Sequence, residues 1–402
     1  MSKIAVLGYG TVGSGVVEVI EKNQDIVSRN AGEAVEVKYV LDLRDFPGDP
    51  IQDRVVHDVN VILEDPEISV VCETMGGNEP AYTFSKKALE AGKSVCTSNK
   101  ELVANHGPEL IRIAKEHNCN YFFEASVGGG IPIIRPMIEA LTAEHVVEIS
   151  GIVNGTTNYI LTKMTEEGAD FDETLKDAQN KGYAERNPEA DIEGYDARRK
   201  IAILSGLMSG QYVKDGDIHT EGITAISKAD IQYAAQLGMN IKLLARSKQT
   251  KHGYEVMVAP FLVGKESPLY AVSGVFNGIV VEGDMLGQAM FYGQGAGKLA
   301  TASAVVGDVV EAVQKAGKHV EIFWSQEPAK LAGLDEAEHA FLVRVANDTP
   351  QESVAKLFGE PEVVIENLVE GEYAFMTASM AEAQFNEKYE ALAGTIGRIR
   401  LM

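Results

Sequence analysis

The sequence is poor in residues that staple or anchor a chain. Its three cysteines, Cys72, Cys96 and Cys119, are odd in number, and no Cys/His cluster has zinc spacing. Each cysteine falls in or beside an apolar β-like run, as buried thiols of a reducing compartment do. No run of roughly eighteen apolar residues occurs, and the start MSKIAVLGYG passes straight into a short apolar strand without an export signal. Together these absences exclude a membrane-spanning helix and place the protein in the cytoplasm. Positive charge is also scarce, with 36 Lys and Arg against 59 Asp and Glu and a formal charge of −23. A phosphate surface needs basic stripes, so neither nucleic acid nor an anionic membrane is expected as a partner. Low-complexity segments are missing too, and 402 residues at 45% hydrophobic composition suffice for two or three domains with cores.

What is present is an alternation of short apolar strands and amphipathic helices. Lys3 to Leu7 reads as a strand, Gly8-Tyr9-Gly10-Thr11-Val12-Gly13 as a turn, and Val16, Val17, Val19 and Ile20 as one face of a helix. Glycines in that pattern allow a tight turn, close backbone approach to a pyrophosphate and close helix-to-strand packing, with phosphates on the helix N-terminus. Gly8, Gly10, Thr11, Val12 and Gly13 therefore form a candidate dinucleotide site. The next strand, Val35 to Leu41, ends in Asp42-Leu43-Arg44-Asp45. An acid there would bond the 2′-hydroxyl of NAD, whereas Arg44 would take the 2′-phosphate of NADP, and both residue types are present. Strands at 68–73, 94–97 and 120–124 alternate with helices at about 80–91 and 108–116, the rhythm of a parallel sheet whose ligands sit at strand carboxyl ends. Those ends carry Thr74, Ser98 and Lys100 as candidate contacts. Lys100 is either a helix-flanking surface lysine or a contact to cofactor or substrate. The loop EASVGGGIP, from Glu124 to Pro132, is either a flexible connection or, with its acid and freed carbonyls, a place for a hard cation.

After Ile133 the pattern changes to a helix and then a strand at 146–153, which ends in Asn154-Gly155-Thr156-Thr157-Asn158. This turn either binds a carboxylate through backbone N–H groups or caps the helix that follows. The stretch GYAERNPEADIEGYDARRK, Gly182 to Lys200, crowds Glu185, Glu189, Asp191, Glu193, Asp196 and Lys200 between a turn and a helix start. Asp196 and Lys200 are four apart and share a helix face, either as a solvated ion pair or as the centre of a site. Strands near 253–263 and 278–283 complete a second α/β sheet, and FYGQGAG at 291–297 opens a helix from about Ala300 to Ala316. Residues 338–402 read as a separate βαββαβ unit. The expected fold is α/β: a Rossmann-type parallel sheet in 1–132, completed by the helix at about 293–318, then a catalytic and dimerisation α/β domain in 133–292 and a small α+β domain in 338–402.

Four ordered segments, GYGTVGSG, SNKELVA, the EASVGGGIP and VNGTTNYIL pair, and GYAERNPEADIEGYDARRK, make nearly the whole chain resemble the homoserine dehydrogenase family. The resemblance implies an NADP- or NAD-dependent interconversion of L-homoserine and L-aspartate 4-semialdehyde in the biosynthesis of threonine, methionine and isoleucine. It implies Lys200 as proton donor to the aldehyde oxygen, Asp196 as its electrostatic partner and a substrate ligand, and Glu185 and Asp191 as holders of the substrate amino group. Lys100 resembles the family lysine beside the nicotinamide and reacting carbon. Gly10, Thr11, Val12, Gly182 and Gly297 fall where family members touch the dinucleotide, and Thr156 lies in the substrate turn. Glu124 with the backbone oxygens of Val127, Gly129 and Ile131 resembles a structural Na⁺ site that ties two domains together.

The tail resembles a short ACT module, with Gln351 where such modules carry a glycine after the proline. A Cβ there would crowd a small amino acid and disfavour a left-handed backbone, so threonine inhibition is expected to be weak or absent. A homodimer or homotetramer is expected, formed through the second sheet and strengthened by the tail. Two rival readings exist. A catalytically silent amino-acid sensor is disfavoured by the joint presence of Asp196, Lys200, Glu185 and Lys100. A phosphorylating semialdehyde dehydrogenase needs an exposed cysteine nucleophile, which strand-bound cysteines do not supply.

Overall fold

Six short apolar runs in the first third of the chain form one all-parallel sheet. A computed structural model describes all residues from Met1 to Met402. In it, β1 (Ser2–Leu7), β2 (Val35–Leu41), β3 (Val55–Val56), β4 (Ile68–Glu73), β5 (Ser94–Thr97) and β6 (Tyr121–Phe122) lie in the order β3-β2-β1-β4-β5-β6. Strands buried on both faces need no polar alternation, which is why their sequences are near-continuously apolar. Ile4, Val6, Val70 and Cys72 share a core with Val16, Val17 and Ile20 of the helix Thr11–Lys22 and with Ala302, Val305 and Val309 of the helix Lys298–Gln314. The strand order reverses at β1, which places the glycine turn at the switch point where such sheets bind ligands.

Two compact units divide the chain. The first holds Met1–Glu144, Ala202–Asp217 and Phe291–Ala329, and the second His145–Ile201, Ile218–Met290 and Lys330–Met402. Within the first unit, one helix differs from expectation. It runs Lys100–Glu116 with Pro108 inside it, whereas the sequence suggests a start at Pro108. The Asn99 side chain caps it by accepting from Leu102 N–H at 3.1 Å, and that cap sets the start upstream of the proline. The helix expected after Ile133 is a single π-helical turn, Pro136–Ala140.

The second sheet has strands β7 (Val146–Ile152), β8 (His219–Thr220), β9 (Asn240–Thr250), β10 (Gly253–Val263), β11 (Phe276–Gly283) and β12 (Gly287–Gln294). Those of the tail are β13 (Glu338–His339), β14 (Phe341–Ala346), β15 (Val364–Ile365), β16 (Glu372–Met376), β17 (Met380–Ala381) and β18 (Thr395–Leu401). Its main order is β12-β11-β7-β9-β10-β18-β14-β16-β15, with β8 also on β10. β9 is missing from the sequence reading because Ile241 to Ser247 are buried without a break, Lys242 and Arg246 included, so no alternation marks the strand.

The tail has the expected βαββαβ order and a core of its own around Phe341, Val343, Phe375 and Phe385. It is not separate, however. β18 pairs in parallel with β10, Phe261 opposite Arg400 and Leu262 opposite Leu401, while its other edge pairs with β14. The physical reason is Arg400, which is 2% exposed and ion-paired to Glu221 at 2.8 Å as well as to Glu382 of the tail at 2.6 Å.

Candidate active site

The glycine turn of the first unit is built for close approach. Gly8 has φ +91°, and a Cβ on Gly13 would lie 1.8 Å from the Gly8 carbonyl oxygen, so neither position tolerates a side chain. Gly10 precedes the helix Thr11–Lys22, whose first N–H groups receive no capping side chain from it. Those donors suit phosphate oxygens. Thr74 donates its hydroxyl to the Leu7 and Gly8 carbonyls, both at 2.9 Å, and so braces the turn. At the end of β2, Asp42 accepts the Tyr9 N–H at 2.9 Å, and Arg44 closes on the same carboxylate through Nε and Nη2 at 3.0 Å each. The guanidinium also reaches the Tyr9 carbonyl at 3.2 Å, while the side chain stays 62% exposed. The Arg44 hydrogen bond, against a smaller opposing effect of burial, holds the Asp42 carboxyl well below the usual carboxylate range.

Ser98 and Lys100 follow β5, with Lys100 half-buried as the first residue of its helix. Beside them sits an acid to which the sequence reading gives no role. Glu73 is fully buried and accepts from the Thr97 hydroxyl at 2.6 Å and the Met75 N–H at 2.8 Å. Burial pushes its carboxyl up despite those bonds. Gly297, with φ +123°, precedes the helix Lys298–Gln314 in this same unit.

The second unit holds the acid and base groups. Gly194, at φ +80°, turns the chain into the helix Tyr195–Ser209. One turn apart on that helix, Lys200 Nζ donates to Asp196 Oδ2 at 2.7 Å and to the Val153 carbonyl at 2.7 Å. Their side chains are 11% and 7% exposed, so this is a buried pair and not the solvated surface pair that is the commoner outcome of such spacing. Asn154, at the end of β7, donates Nδ2 to both Asp196 and Asp191, at 2.9 and 2.7 Å. The structure thus brings Lys200, Asp196 and Asp191 together and adds Asn154. Thr156 is buried beside them and gives its hydroxyl to the Tyr183 carbonyl at 2.6 Å. Glu185 and Gly182 lie exposed on the loop before the short helix Glu189–Ile192. The turn Asn154–Asn158 caps a helix, with Asn154 Oδ1 accepting the Thr157 N–H at 2.9 Å.

Glu124 spends its carboxylate on nearby backbone. Its Oε1 accepts the N–H groups of Ile133 and Ile134 at 2.6 and 2.8 Å, and its Oε2 that of Arg135 at 2.7 Å. Three of about four carboxylate lone-pair directions are thereby filled, and the acid acts as a cap on the chain turn after Pro132. The carboxylate is thus engaged by backbone, and a cation at this loop would be held by the backbone oxygens of Val127, Gly129 and Ile131. No group of three or more His, Cys, Asp or Glu side chains could hold a metal ion. The cysteines are all free and buried, and burial raises the thiols, Cys119 to about 11, so none is a ready nucleophile. No helix is long and apolar enough to cross a membrane.

A parallel sheet that reverses at a glycine turn, in a chain that also buries an ammonium against a carboxylate, has the build of a dinucleotide-dependent oxidoreductase. Family comparison sharpens this: residues 8–124 match the homoserine dehydrogenase NAD-binding domain, and residues 132–310 match homoserine dehydrogenase. The chain belongs to the homoserine dehydrogenase family. It is 46% identical over 318 residues to the homoserine dehydrogenase of Synechocystis, covering 77% of this chain and 73% of that one. The crystal structure of a homoserine dehydrogenase from Thiobacillus denitrificans superposes with a TM-score of 0.93 at 32% identity, over 100% of this chain and 98% of the other, so the tail is shared. A hyperthermophilic archaeal homoserine dehydrogenase mutant in complex with NADPH aligns at TM-score 0.68 and 31% identity, over 78% of this chain and 98% of the other.

Proposed function

We propose that this chain interconverts L-homoserine and L-aspartate 4-semialdehyde, with the first unit binding a nicotinamide dinucleotide and the second binding the amino acid, as a step in threonine, methionine and isoleucine biosynthesis. The observation that carries the reading is the buried Lys200–Asp196 pair with Asp191 alongside. When bound, the nicotinamide supplies the hydride to the aldehyde carbon or takes it back. During reduction, negative charge grows on the substrate oxygen, and the Lys200 ammonium neutralises and protonates it. Asp196 keeps that ammonium oriented between turnovers. Asp191 and Glu185 hold the α-ammonium of the substrate, Thr156 and the helix start at Gly155 face its carboxylate, and Lys100 steadies the reacting end. Gly8, Gly10, Thr11, Val12 and Gly13 seat the phosphates, with Thr74, Ser98, Gly182 and Gly297 as further contacts. A structural Na⁺ at the loop from Glu124 to Pro132 would be held by the backbone oxygens of Val127, Gly129 and Ile131, and no step is routed through it. Purified full chain with L-homoserine and NAD⁺ or NADP⁺ in parallel, followed at the reduced-nicotinamide absorbance band, is the test. Absence of homoserine-dependent reduction with either cofactor would overturn the reading, and a silent sensor would take its place.

NADP is the preferred cofactor in this reading. Support comes from Arg44, an exposed guanidinium beside the glycine turn, and from Asp42, whose carboxylate is occupied by Arg44 and Tyr9 instead of presenting itself to a ribose hydroxyl. Arg44→Ala is expected to weaken NADP binding by about 1.5–3 kcal/mol, the size of a charge-assisted hydrogen bond, without weakening NAD. Calorimetric titration with each cofactor checks this, and equal losses would remove the role.

The tail is an assembly element in this reading, not a threonine receptor. Contrary to the expectation of a left-handed backbone, Gln351 begins the right-handed helix Gln351–Phe358, so its Cβ meets no strain there. What supports the reading is that Gln351 stands where such modules carry a glycine, and its side-chain amide donates to Glu366 at 2.6 Å on the exposed face of the tail. Activity is expected to change little in millimolar L-threonine, and strong saturable inhibition would overturn this. Homo-oligomerisation is supported by the outer strand β12 and the turn before it, where Met285 and Leu286 are 80% and 54% exposed. The mass of the full chain in solution tests it. Truncation near Glu338 would not, because it would strip β18 from β10.

A further inference from the structure

We propose that Asn154 is a positioning residue for the reaction: its carboxamide gathers Asp191 and Asp196 onto one nitrogen and so holds the acid pair that receives the substrate ammonium. This rests on the functional reading above. Three separate segments supply the groups: Asn154 is the N-cap of the helix Gly155–Glu167 that follows β7, the short helix Glu189–Ile192 gives Asp191, and the helix Tyr195–Ser209 gives Asp196. Asn154 is 6% exposed, and both hydrogens of its Nδ2 go to carboxylates, Asp191 Oδ1 at 2.7 Å and Asp196 Oδ2 at 2.9 Å. Its orientation is fixed from the other end, where Oδ1 accepts the Thr157 N–H at 2.9 Å and the Thr157 hydroxyl at 3.0 Å. A backbone N–H can only meet the amide oxygen, so the NH₂ must face the acids. The Asp196 oxygen it bonds is the one that accepts Lys200 Nζ at 2.7 Å. The amide therefore ties the substrate-binding acid to the proton-transfer pair.

The chemistry explains why an amide suits this position. Two carboxylates drawn together repel, and each favours the neutral form of the other. Hydrogen bonds to the charged forms offset that repulsion. A lysine or arginine would do so more strongly but would compete with the substrate ammonium for the same oxygens. Lys200 already meets Asp196 Oδ2 at 2.7 Å, and a neutral Asn adds a hydrogen bond to each acid without itself adding another cation to compete with the substrate ammonium.

The test uses Asn154→Asp and Asn154→Ser, which both keep a good helix cap but lose the bridging donors. Asn154→Asp also adds a third carboxylate. NADP affinity is expected to stay at the wild-type value in both, while the melting temperature falls modestly in Asn154→Ser and further in Asn154→Asp. For L-homoserine, kcat/KM is expected to fall about a hundredfold in Asn154→Asp and about tenfold in Asn154→Ser, chiefly through KM, with the acid limb of the pH profile moved upward. Wild-type KM and an unmoved acid limb in these variants, or a defect confined to Asn154→Ala where the cap is lost, would overturn the proposal. Wild-type turnover of L-homoserine in the same assay reads the underlying function separately. Carboxyl titrations of Asp191 and Asp196 by ¹³C NMR read Asn154 without turnover: higher midpoints in Asn154→Asp support it, and identical midpoints overturn it.

Discussion

Lys200→Ala is expected to lower kcat by at least about a hundredfold, the scale of a lost general acid, with cofactor affinity little changed. The ammonium is 8% exposed as a residue and anchored by Asp196 and the Val153 carbonyl, so its position does not depend on a mobile side chain. Truncation removes the proton source and leaves Asp196 buried without its cation, which also costs stability. Lys200→Arg separates the two effects. A guanidinium keeps the charge beside Asp196 but does not release a proton near neutral pH, so this variant should fold well and remain slow. Asp196→Asn should be slow for the complementary reason, since it preserves shape while withdrawing the charge that orients the ammonium. Single-turnover reduction of L-aspartate 4-semialdehyde by NADPH is the measurement, paired with thermal melts. Near-normal rates in both Lys200 variants would remove the role.

The parts of this molecule that were legible in the sequence are those where short-range covalent geometry decides. Gly13 had to be glycine because a Cβ there would lie 1.8 Å from the Gly8 carbonyl oxygen, and Gly8 because its φ is +91°, and those requirements show in the sequence as a spacing. Asp196 and Lys200 were legible because four residues make one helical turn. What four-residue spacing could not tell was burial, which depends on Val153 and Asn154 arriving from a strand more than forty residues earlier. Asn154 itself was visible only as part of a turn that either binds a carboxylate through backbone N–H groups or caps a helix. Its second use, on two carboxylates of the acidic loop, has no sequence signature because its partners are not at a helical or strand period from it. The same limit hid the junction of the tail. Residues 338–402 have a self-sufficient βαββαβ pattern, and nothing in that pattern says that the outer edge of β18 will pair with β10. Glu124 shows the same limit: its carboxylate caps the N–H groups of Ile133, Ile134 and Arg135, a use that depends on how the chain turns after Pro132 and has no spacing to reveal it.

Glu382→Gln is expected to cost the second unit about 3–5 kcal/mol of unfolding free energy, the scale for breaking a buried ion pair from one side. Glu382 is fully buried, and its oxygens accept Arg400 Nε at 2.6 Å and Arg400 Nη2 at 2.9 Å, with His339 Nδ1 also at 2.9 Å. Beyond His339 the charges continue through Glu255 at 3.3 Å and Arg246 to Glu148 at 2.8 Å, so one network runs from the tail into β10, β9 and β7. Glutamine keeps the size of the side chain but leaves Arg400 with Glu221 as its remaining ion-pair partner and His339 with Glu255. Burial opposes ionisation of Glu382, yet the bonds from Arg400 and His339 outweigh it and bring the carboxyl from an ordinary 4.5 down to about 2. A depressed acid contributes stability that is complete above about pH 4.5 and is lost as pH falls toward 2. Burial likewise opposes the charge on His339, but Glu255 and Glu382 raise it above its ordinary 6.5. A raised base contributes stability that is complete below about pH 6.5 and is lost as pH rises through its folded value. The two contributions overlap in full between those limits, where the wild-type unit should be most stable with respect to this network. Thermal unfolding at a series of pH values should show the midpoint of Glu382→Gln lower by roughly ten degrees near pH 6, with a shallower decline on the alkaline side because His339 has lost one of its two carboxylates. An unchanged midpoint, or an alkaline slope equal to that of the wild type, would show that Arg400 and His339 are held by packing and not by Glu382.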